Sequence, residues 1–285
     1  MRTTVAVVTW RGRAHIESCL DALAAQERPH RILVVDNASD DGTRELVLAH
    51  PSGPEVLTLP VNKGYAGGIQ AALDACTTPY LAWLNDDAMP SPGWLGALED
   101  ALDADPRIAA ASAKLLTSTG EVQSIGVGLT RDGHGVDVTK GQIFGFCGGA
   151  ALTRVAALHE IGGVPAEFFC YYEDTDTSWR LRRAGWQIVP VPGAEVLHLH
   201  GATAKPGSRD FHRWNERNRL LMLLRNAPLR IAAREVLRFA VITALIPVKR
   251  SVPDAANFET TLRLGVLGEV LRSLPRTLRQ RSNPS

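Results

Sequence analysis

Long apolar runs are missing from this chain: no stretch in its 285 residues reaches the roughly 18 uninterrupted apolar residues that a membrane-spanning helix needs. Cysteine is scarce as well. Cys19, Cys76, Cys147 and Cys170 lie far apart and form no CxxC pair, which argues against a zinc site and a disulfide framework and fits a reducing cytoplasm. The N-terminus enters a strand pattern almost at once, so no signal peptide is expected. Internal repeats and low-complexity tracts are also absent. What is present is ordinary globular composition, 45% hydrophobic and 21% charged, enough for one large domain or one domain with an appendage.

The net charge of +1 hides a division. Residues 1–204 carry 15 Lys/Arg and 24 Asp/Glu, a balance of −9, whereas residues 205–285 carry 16 and 6, a balance of +10. Such asymmetry marks contact with a polyanion, nucleic acid or an anionic membrane, or else a solvated basic helical tail.

Thr4–Thr9, Arg31–Asp36, Glu55–Leu59 and Tyr80–Leu84 are short apolar runs read as buried strands. Helical spacing falls between them, over residues 14–25, Thr43–Ala49 and Ala66–Cys76. This alternation predicts βαβ units and a mainly parallel sheet, whose ligands bind beyond the carboxyl ends of the strands. Thr9, Asp36, Asn62 and Asp87 all fall at those ends. Further on, the pattern predicts a helix over Gly93–Ala104 and strands over Ile108–Leu115, Gly145–Leu152, Trp186–Val191 and Ala194–Leu199. From about residue 210 it is helical, with breaks expected at Pro228, Pro247, Pro253 and Pro275.

Several motifs can carry chemistry. Asp36 ends a strand, and its carboxylate can accept a hydrogen bond from the imide N–H of a uracil or thymine ring; equally, Asp36, Asn37 and Asp40 can cap the following turn and helix. Asn62-Lys63-Gly64-Tyr65-Ala66-Gly67-Gly68 opens a helix with three glycines, which permit close backbone approach at a terminus that favours anions such as a diphosphate. Its spacing fits neither the dinucleotide fingerprint nor the P-loop. Asn85-Asp86-Asp87 follows an apolar strand; two adjacent acids beside a core are costly without a cation or hydrogen bonds, and hard oxygen ligands suit Mg²⁺ or Mn²⁺. A surface turn before Pro90 and Pro92 is the plain alternative. Glu173-Asp174-Thr175-Asp176 enters a helix, where acids favour the dipole. Asp174 is the candidate general base, with Glu173 to orient it or contact the acceptor. His198 and His200 alternate onto one strand face, and either can complete a metal site, with His198 preferred.

In this order, the motifs resemble the family 2 glycosyltransferases, which have the GT-A fold. The matching stretches are Val7-Val8-Thr9-Trp10, Val34 to Thr43, Asn62 to Gly68, Leu84 to Asp87, Gly148-Gly149-Ala150, Tyr172 to Asp176, Arg180 with Gly185-Trp186, His198, and Arg217-Asn218. The resemblance implies a Rossmann-like, mainly parallel sheet flanked by helices over residues 1–204, with a nucleotide-sugar half to about 115 and an acceptor half over 116–204. It implies donor contacts at Thr9, Trp10, Asp36, Asn37, Asn62, Gly64, Asn85 and Asp86. Asp87 and His198 would hold Mg²⁺ or Mn²⁺, Asp174 would be the inverting base, and Gly148, Gly149 and Asp176 would face the acceptor. Asn85 stands where many relatives carry aspartate and Trp10 where tyrosine is commoner. The compact length and the Asn-Asp-Asp variant look most like bacterial rhamnosyltransferases, which take dTDP-L-rhamnose and a polyprenyl-diphosphate-linked sugar.

The basic extension over 205–285 mixes apolar residues with arginine across Ile231–Val248 and Leu262–Leu274, as interfacial helices do. It is expected to dock the enzyme on the inner face of the plasma membrane, making it cytoplasmic and peripheral; a homodimer interface is the competing use. Nucleic acid is not an expected partner, because Phe211, Trp214, Phe239 and Phe258 are too dispersed for a stacking platform. The other readings are a UDP-sugar enzyme acting on a soluble or natural-product acceptor, a nucleotidyltransferase, and a non-catalytic sugar-nucleotide binder.

Overall fold

The computed structural model describes residues 1–199, 207–249 and 251–282. The chain forms two compact units, residues 1–129 with 135–202 and residues 130–134 with 203–285. His200, the alternative metal ligand, lies outside the described residues.

The first unit begins with β1 (Thr3–Thr9), α1 (Ile16–Ala24), β2 (Arg31–Asp36), α2 (Thr43–Ala49), β3 (Glu55–Thr58), α3 (Gly64–Ala75) and β4 (Tyr80–Asn85). It continues with β5 (Ala88–Pro90), α4 (Trp94–Ala104), β6 (Ile108–Leu116), β7 (Val122–Ser124), β8 (Val127–Leu129) and β9 (Gly135–Asp137). β10 (Ala150–Arg154), α5 (Val155–Glu160), α6 (Glu173–Arg183) and β11 (Gln187–His198) complete it. The sheet runs β3-β2-β1-β4-β10-β6-β11-β5, with β7 paired to β6. All seven residues of β1 are buried, because helices cover both faces of the strand. Val5 and Val7 pack with Ile16, Leu20, Leu23 and Trp94 on one face. Ala6 and Val8 pack with Ile69, Leu73 and Trp83 on the other.

The sheet is parallel through β3, β2, β1 and β4. Beyond β4 it is mixed, because β10 lies antiparallel between β4 and β6. That inserted strand starts opposite the end of β4, with Ala150 facing Leu84. The residues just before β10 are therefore carried to the ligand end of the sheet.

Four details differ from the sequence pattern. The strand expected over Gly145–Leu152 starts only at Ala150; Gly145 bridges to Val127, and residues 146–149 form a strap. The two strands expected over 186–199 are one, β11, which absorbs a register shift between Val191 and Glu195 against β6. Pro275 does not end a helix; it lies within α9 on its exposed side, where a backbone carbonyl that loses its helical partner can be met by water. Finally, the glycines of α3 serve packing rather than an open anion cradle. Gly64 has φ +70° and its Cα abuts the Phe169 backbone, and a Cβ on Gly68 would lie 2.5 Å from Val8 Cγ1.

The second unit holds α7 (Arg209–Asn226), α8 (Leu229–Leu245) and α9 (Thr260–Ser282). Ser208 caps α7 by accepting a hydrogen bond from the Phe211 N–H. The Arg263 guanidinium on α9 lies 3.8 Å from the Phe239 ring centroid on α8. It also donates to Thr243 Oγ1 and the Phe239 carbonyl, fixing the two helices together. No described helix is long and apolar enough to cross a membrane.

The packing predicts opposite outcomes for two glycine-to-alanine changes. Gly68→Ala should destabilise by about 1–3 kcal/mol through overpacking against β1. Gly265→Ala, on α9 with nothing within 4 Å of the added methyl, should stabilise by about 0.5–1 kcal/mol. Urea denaturation of the two variants checks both signs.

Candidate active site

Parallel register sets the floor of the site. Thr9 pairs with Asp36 across β1 and β2, and Val8 with Asn85 across β1 and β4, so three strand ends deliver polar residues side by side. Thr9 Oγ1 donates to Asp86 Oδ2 at 2.6 Å, and both residues are buried. Gly12 closes over this pair, since a Cβ there would strike both oxygens. Asp36 accepts the Ser39 N–H at 3.0 Å through Oδ1. Trp10 stands 42% exposed at the end of β1 with the Arg11 guanidinium over its ring.

Two residues expected to touch the donor are committed to the scaffold. The Asn37 amide donates to the Gly64 carbonyl at 2.9 Å and accepts the Lys63 N–H at 2.8 Å, tying the end of β2 to the start of α3. Asn62 Oδ1 accepts the Gly64 N–H at 2.8 Å, shaping the same turn.

Asp86 and Asp87 are both buried at the end of β4. Burial pushes the Asp86 carboxyl up to about 6; the charge of Asp87 adds to this and the Thr9 hydrogen bond opposes it. Burial acts the same way on Asp87, but the hydrogen bond and charge of His198 outweigh it and hold that carboxyl below its ordinary value. β11 positions the histidine: its antiparallel pairing with β5 sets His198 opposite Ala88, next to Asp87. His198 Nδ1 lies 3.0 Å from Gln123 Oε1 on β7, so a proton on Nδ1 is the one given to Gln123. Nε2 lies 3.1 Å from the Asn85 amide and 3.2 Å from Asp87 Oδ1.

A buried carboxylate and imidazole at this distance are held together by a proton or by a cation between them. Cis ligands of an octahedral divalent ion, each about 2.1 Å from the metal, stand about 3.0 Å apart, so Asp87 and His198 fit Mg²⁺ or Mn²⁺. The Gln123 contact is of the kind that would orient the imidazole if His198 held a metal. No cluster of three or more His, Cys, Asp or Glu suited to a metal occurs among the described residues. The remaining positions would therefore fall to donor oxygens or water.

A second cluster sits at the start of α6. Asp174 Oδ2 accepts the Gly148 N–H at 2.9 Å, while Oδ1 accepts the N–H and Oγ1–H of Thr175. Glu173 is 6% exposed, and its Oε2 has no hydrogen-bond partner. Burial pushes the Glu173 carboxyl up to about 8, with the charge of Asp174 adding to it; burial raises Asp174 as well. The asymmetry of donors decides where a shared proton rests: on Glu173, leaving Asp174 the charged partner. The chain enters α6 through a strained turn. Phe169, Tyr171 and Tyr172 all have positive φ, and Phe169 at φ 67°, ψ −65° centres a γ-turn closed by the Cys170 N–H on the Phe168 carbonyl.

The strap before β10 joins the clusters. The Gly149 carbonyl accepts the Asn85 N–H at 3.0 Å, and the Gly148 N–H reaches Asp174. Tyr65 pins the strap by donating its hydroxyl to the Gly148 carbonyl. Asp176, expected beside the acceptor, has a different task. It is fully buried, 2.8 Å from Arg180 Nε, and Arg180 also donates to the carbonyls of Ile161 and Gly163. Sequence reasoning missed Gly12, Tyr65 and Gln123. Gly12 lies between two arginines and Gln123 in a short irregular strand, so neither carries a pattern; Tyr65 was visible only as part of the glycine-rich turn.

The Glu173 proton has a thermodynamic consequence. Between its ordinary value of 4.5 and about 8, the folded protein holds a proton that the unfolded chain has released. Stability should therefore fall as pH rises through this window, by up to about 1.4 kcal/mol per pH unit. Glu173→Gln should remove that component, so the wild-type-minus-variant difference slopes downward from pH 5 to 8 in denaturant titrations and flattens above.

Comparison with known proteins agrees with this geometry. The glycosyl transferase family 2 model matches residues 4–162, more than half of the chain. The N-acetylglucosaminyl-diphospho-decaprenol L-rhamnosyltransferase of Mycobacterium tuberculosis is 29% identical over 241 residues, 72% of this chain and 78% of its own length. The pre-mycofactocin glycosyltransferase of the same species is 30% identical over 192 residues, 64% of this chain and 40% of its own. Among solved structures, the mannosyltransferase PcManGT from Pyrobaculum calidifontis, in complex with GDP-Man and Mn²⁺, superposes with a TM-score of 0.59 at 19% identity, covering 96% of this chain and 87% of its own. S. aureus TarS with UDP-GlcNAc gives 0.63 at 18% identity, covering 99% and 84%. The fold is GT-A, with a mixed, mostly parallel sheet, flanking helices and C-terminal helices, and the chain belongs to glycosyl transferase family 2.

Proposed function

We propose that the protein is a metal-dependent, inverting glycosyltransferase that moves L-rhamnose from dTDP-L-rhamnose to a hydroxyl of a polyprenyl-diphosphate-linked glycan. It would work in the cytoplasm at the inner face of the plasma membrane. The observation that carries the reaction is the Gly148-Gly149 strap, which ties the Asn85–Asp87 end of β4 to Asp174 through one hydrogen bond on each side. A donor site and a base are thereby held by two consecutive residues. The similarity to the mycobacterial rhamnosyltransferase supports the choice of sugar and of a lipid-linked acceptor.

In this reading Thr9 and Asp36 hold the nucleoside and Trp10 flanks it, while Asn85 and Asp86 face the ribose and diphosphate. Asp87 and His198 hold the divalent ion, which when bound offsets negative charge on the diphosphate. Asp174 accepts the proton of the acceptor hydroxyl. That oxygen then attacks the anomeric carbon from the side opposite the leaving group, the bond to the diphosphate oxygen breaks, and its electron pair departs with the nucleoside diphosphate. One displacement inverts the centre. Glu173, holding a proton, keeps the charge of the pair on Asp174. The strained turn before α6 sets Asp174 against the strap.

Asp174→Asn should retain donor binding and lower transfer by about 10²–10⁴-fold; full transfer by this variant would exclude Asp174 as the base. Asp87→Ala should lose the metal-dependent part of nucleotide binding. In thermal-shift experiments with Mn²⁺, dTDP should stabilise the protein more than UDP or GDP; a larger shift with UDP would exclude the rhamnose donor.

A further inference from the structure

The second unit carries a surface that the reaction does not use. On α8, Ala232, Glu235, Phe239 and Thr243 face inward and are buried. The opposite side is exposed, and along it Arg230, Arg234, Leu237, Val241, Leu245 and Val248 follow at intervals of three or four residues, the spacing of one helix face. The first two are cationic and the last four apolar. Leu237 is 64% exposed and Val248, one turn past the end of α8, 75%. These are large values for apolar side chains aligned in one row rather than scattered.

The charge on this face is net positive. The sole acid of α8, Glu235, is 2% exposed and shared by three guanidiniums, those of Arg219, Arg234 and Arg238. Arg238 also meets Asp132 at the edge, and Arg230 and Lys249 add positive charge. α9 repeats the pattern, exposing Leu264, Leu271 and Leu278 beside Arg272, Arg276 and Arg279, while its own acid, Glu269, pairs with Arg213 and Arg217.

We infer that the solvent face of α8 is a docking surface for an anionic lipid bilayer, lying in the headgroup region with Leu237, Val241, Leu245 and Val248 toward the acyl chains and Arg230 and Arg234 on lipid phosphates. The inference deepens the proposed peripheral placement and rests on that reading only for the choice of leaflet. Charge selects this occupant over a second copy of the chain. Two copies meeting along this row would set like-charged surfaces together, with Glu235 already shared by three arginines and no further acid of α8 to receive Arg230. A bilayer supplies both the apolar layer and the missing anions.

The test is co-sedimentation of the full-length protein with vesicles, without donor or acceptor, so that its outcome is independent of catalysis. Wild type should bind phosphatidylcholine vesicles containing phosphatidylglycerol, bind pure phosphatidylcholine far more weakly, and release as salt rises. Each arginine contributes about fivefold to binding, so Arg230→Gln with Arg234→Gln should weaken it by more than tenfold. Leu237→Ser with Val241→Ser and Leu245→Ser should remove binding at moderate salt. All these positions are exposed, and Glu235 keeps Arg219 and Arg238 when Arg234 is changed, so circular dichroism should be unchanged and nucleoside diphosphate binding should persist. Absence of vesicle binding by wild type, or equal binding to the two lipid compositions, overturns the inference. So does a serine variant that still binds vesicles while light scattering shows a dimer turned into a monomer, which would assign the row to self-association.

Discussion

Two adjacent carboxylates held almost out of water at the end of β4 are the constraint around which the catalytic unit is arranged. Asp86 and Asp87 are both buried, and such burial is tolerated only when each oxygen finds a proton donor or a cation. Thr9 supplies one donor from β1. β5 and β11 bring His198 to Asp87, and β7 brings Gln123 behind the histidine. Gly12 lacks a side chain because none fits beside the Thr9–Asp86 pair. Five strands and one turn thus converge on two acids, with Asp87 and His198 at a separation that fits cis ligands of a divalent ion.

The antiparallel insertion of β10 links the two acidic clusters. A purely parallel sheet would bring only strand ends to its carboxyl edge. β10 instead starts there, and the strap before it carries a carbonyl to Asn85 and an N–H to Asp174. Donor-side and base-side residues therefore share a rigid link, backed by Tyr65. The positive-φ residues before α6 show the cost of bringing Glu173 and Asp174 to that link, since backbone strain persists where surrounding packing overdetermines it.

Much of this was legible in the chain because it is local. β1, β2 and β4 are continuous apolar runs ended by polar residues, so Thr9, Asp36 and Asp87 could be set at strand ends from the pattern alone. Alternation in the sequence put His198 and His200 on one strand face, without deciding between them. What was illegible depends on distant partners. Nothing near Asn37 or Asn62 reveals that their amides are spent on the turn into α3. Nothing near Asp176 reveals that Arg180 neutralises it inside the core. Gly145–Leu152 reads as a strand by composition, yet its glycines are needed for the strap. Pro275 reads as a helix end, yet an exposed position on α9 accommodates it.

We propose that Asp87 and His198 form a two-residue metal seat completed by the donor diphosphate. Calorimetric titration of Mn²⁺ into wild-type protein, with and without saturating dTDP, tests it most directly. A site with two protein ligands should bind Mn²⁺ weakly alone and at least tenfold more tightly with the nucleotide, and linkage requires dTDP affinity to rise by the same factor with metal. Equal Mn²⁺ affinity in the two titrations would contradict the account.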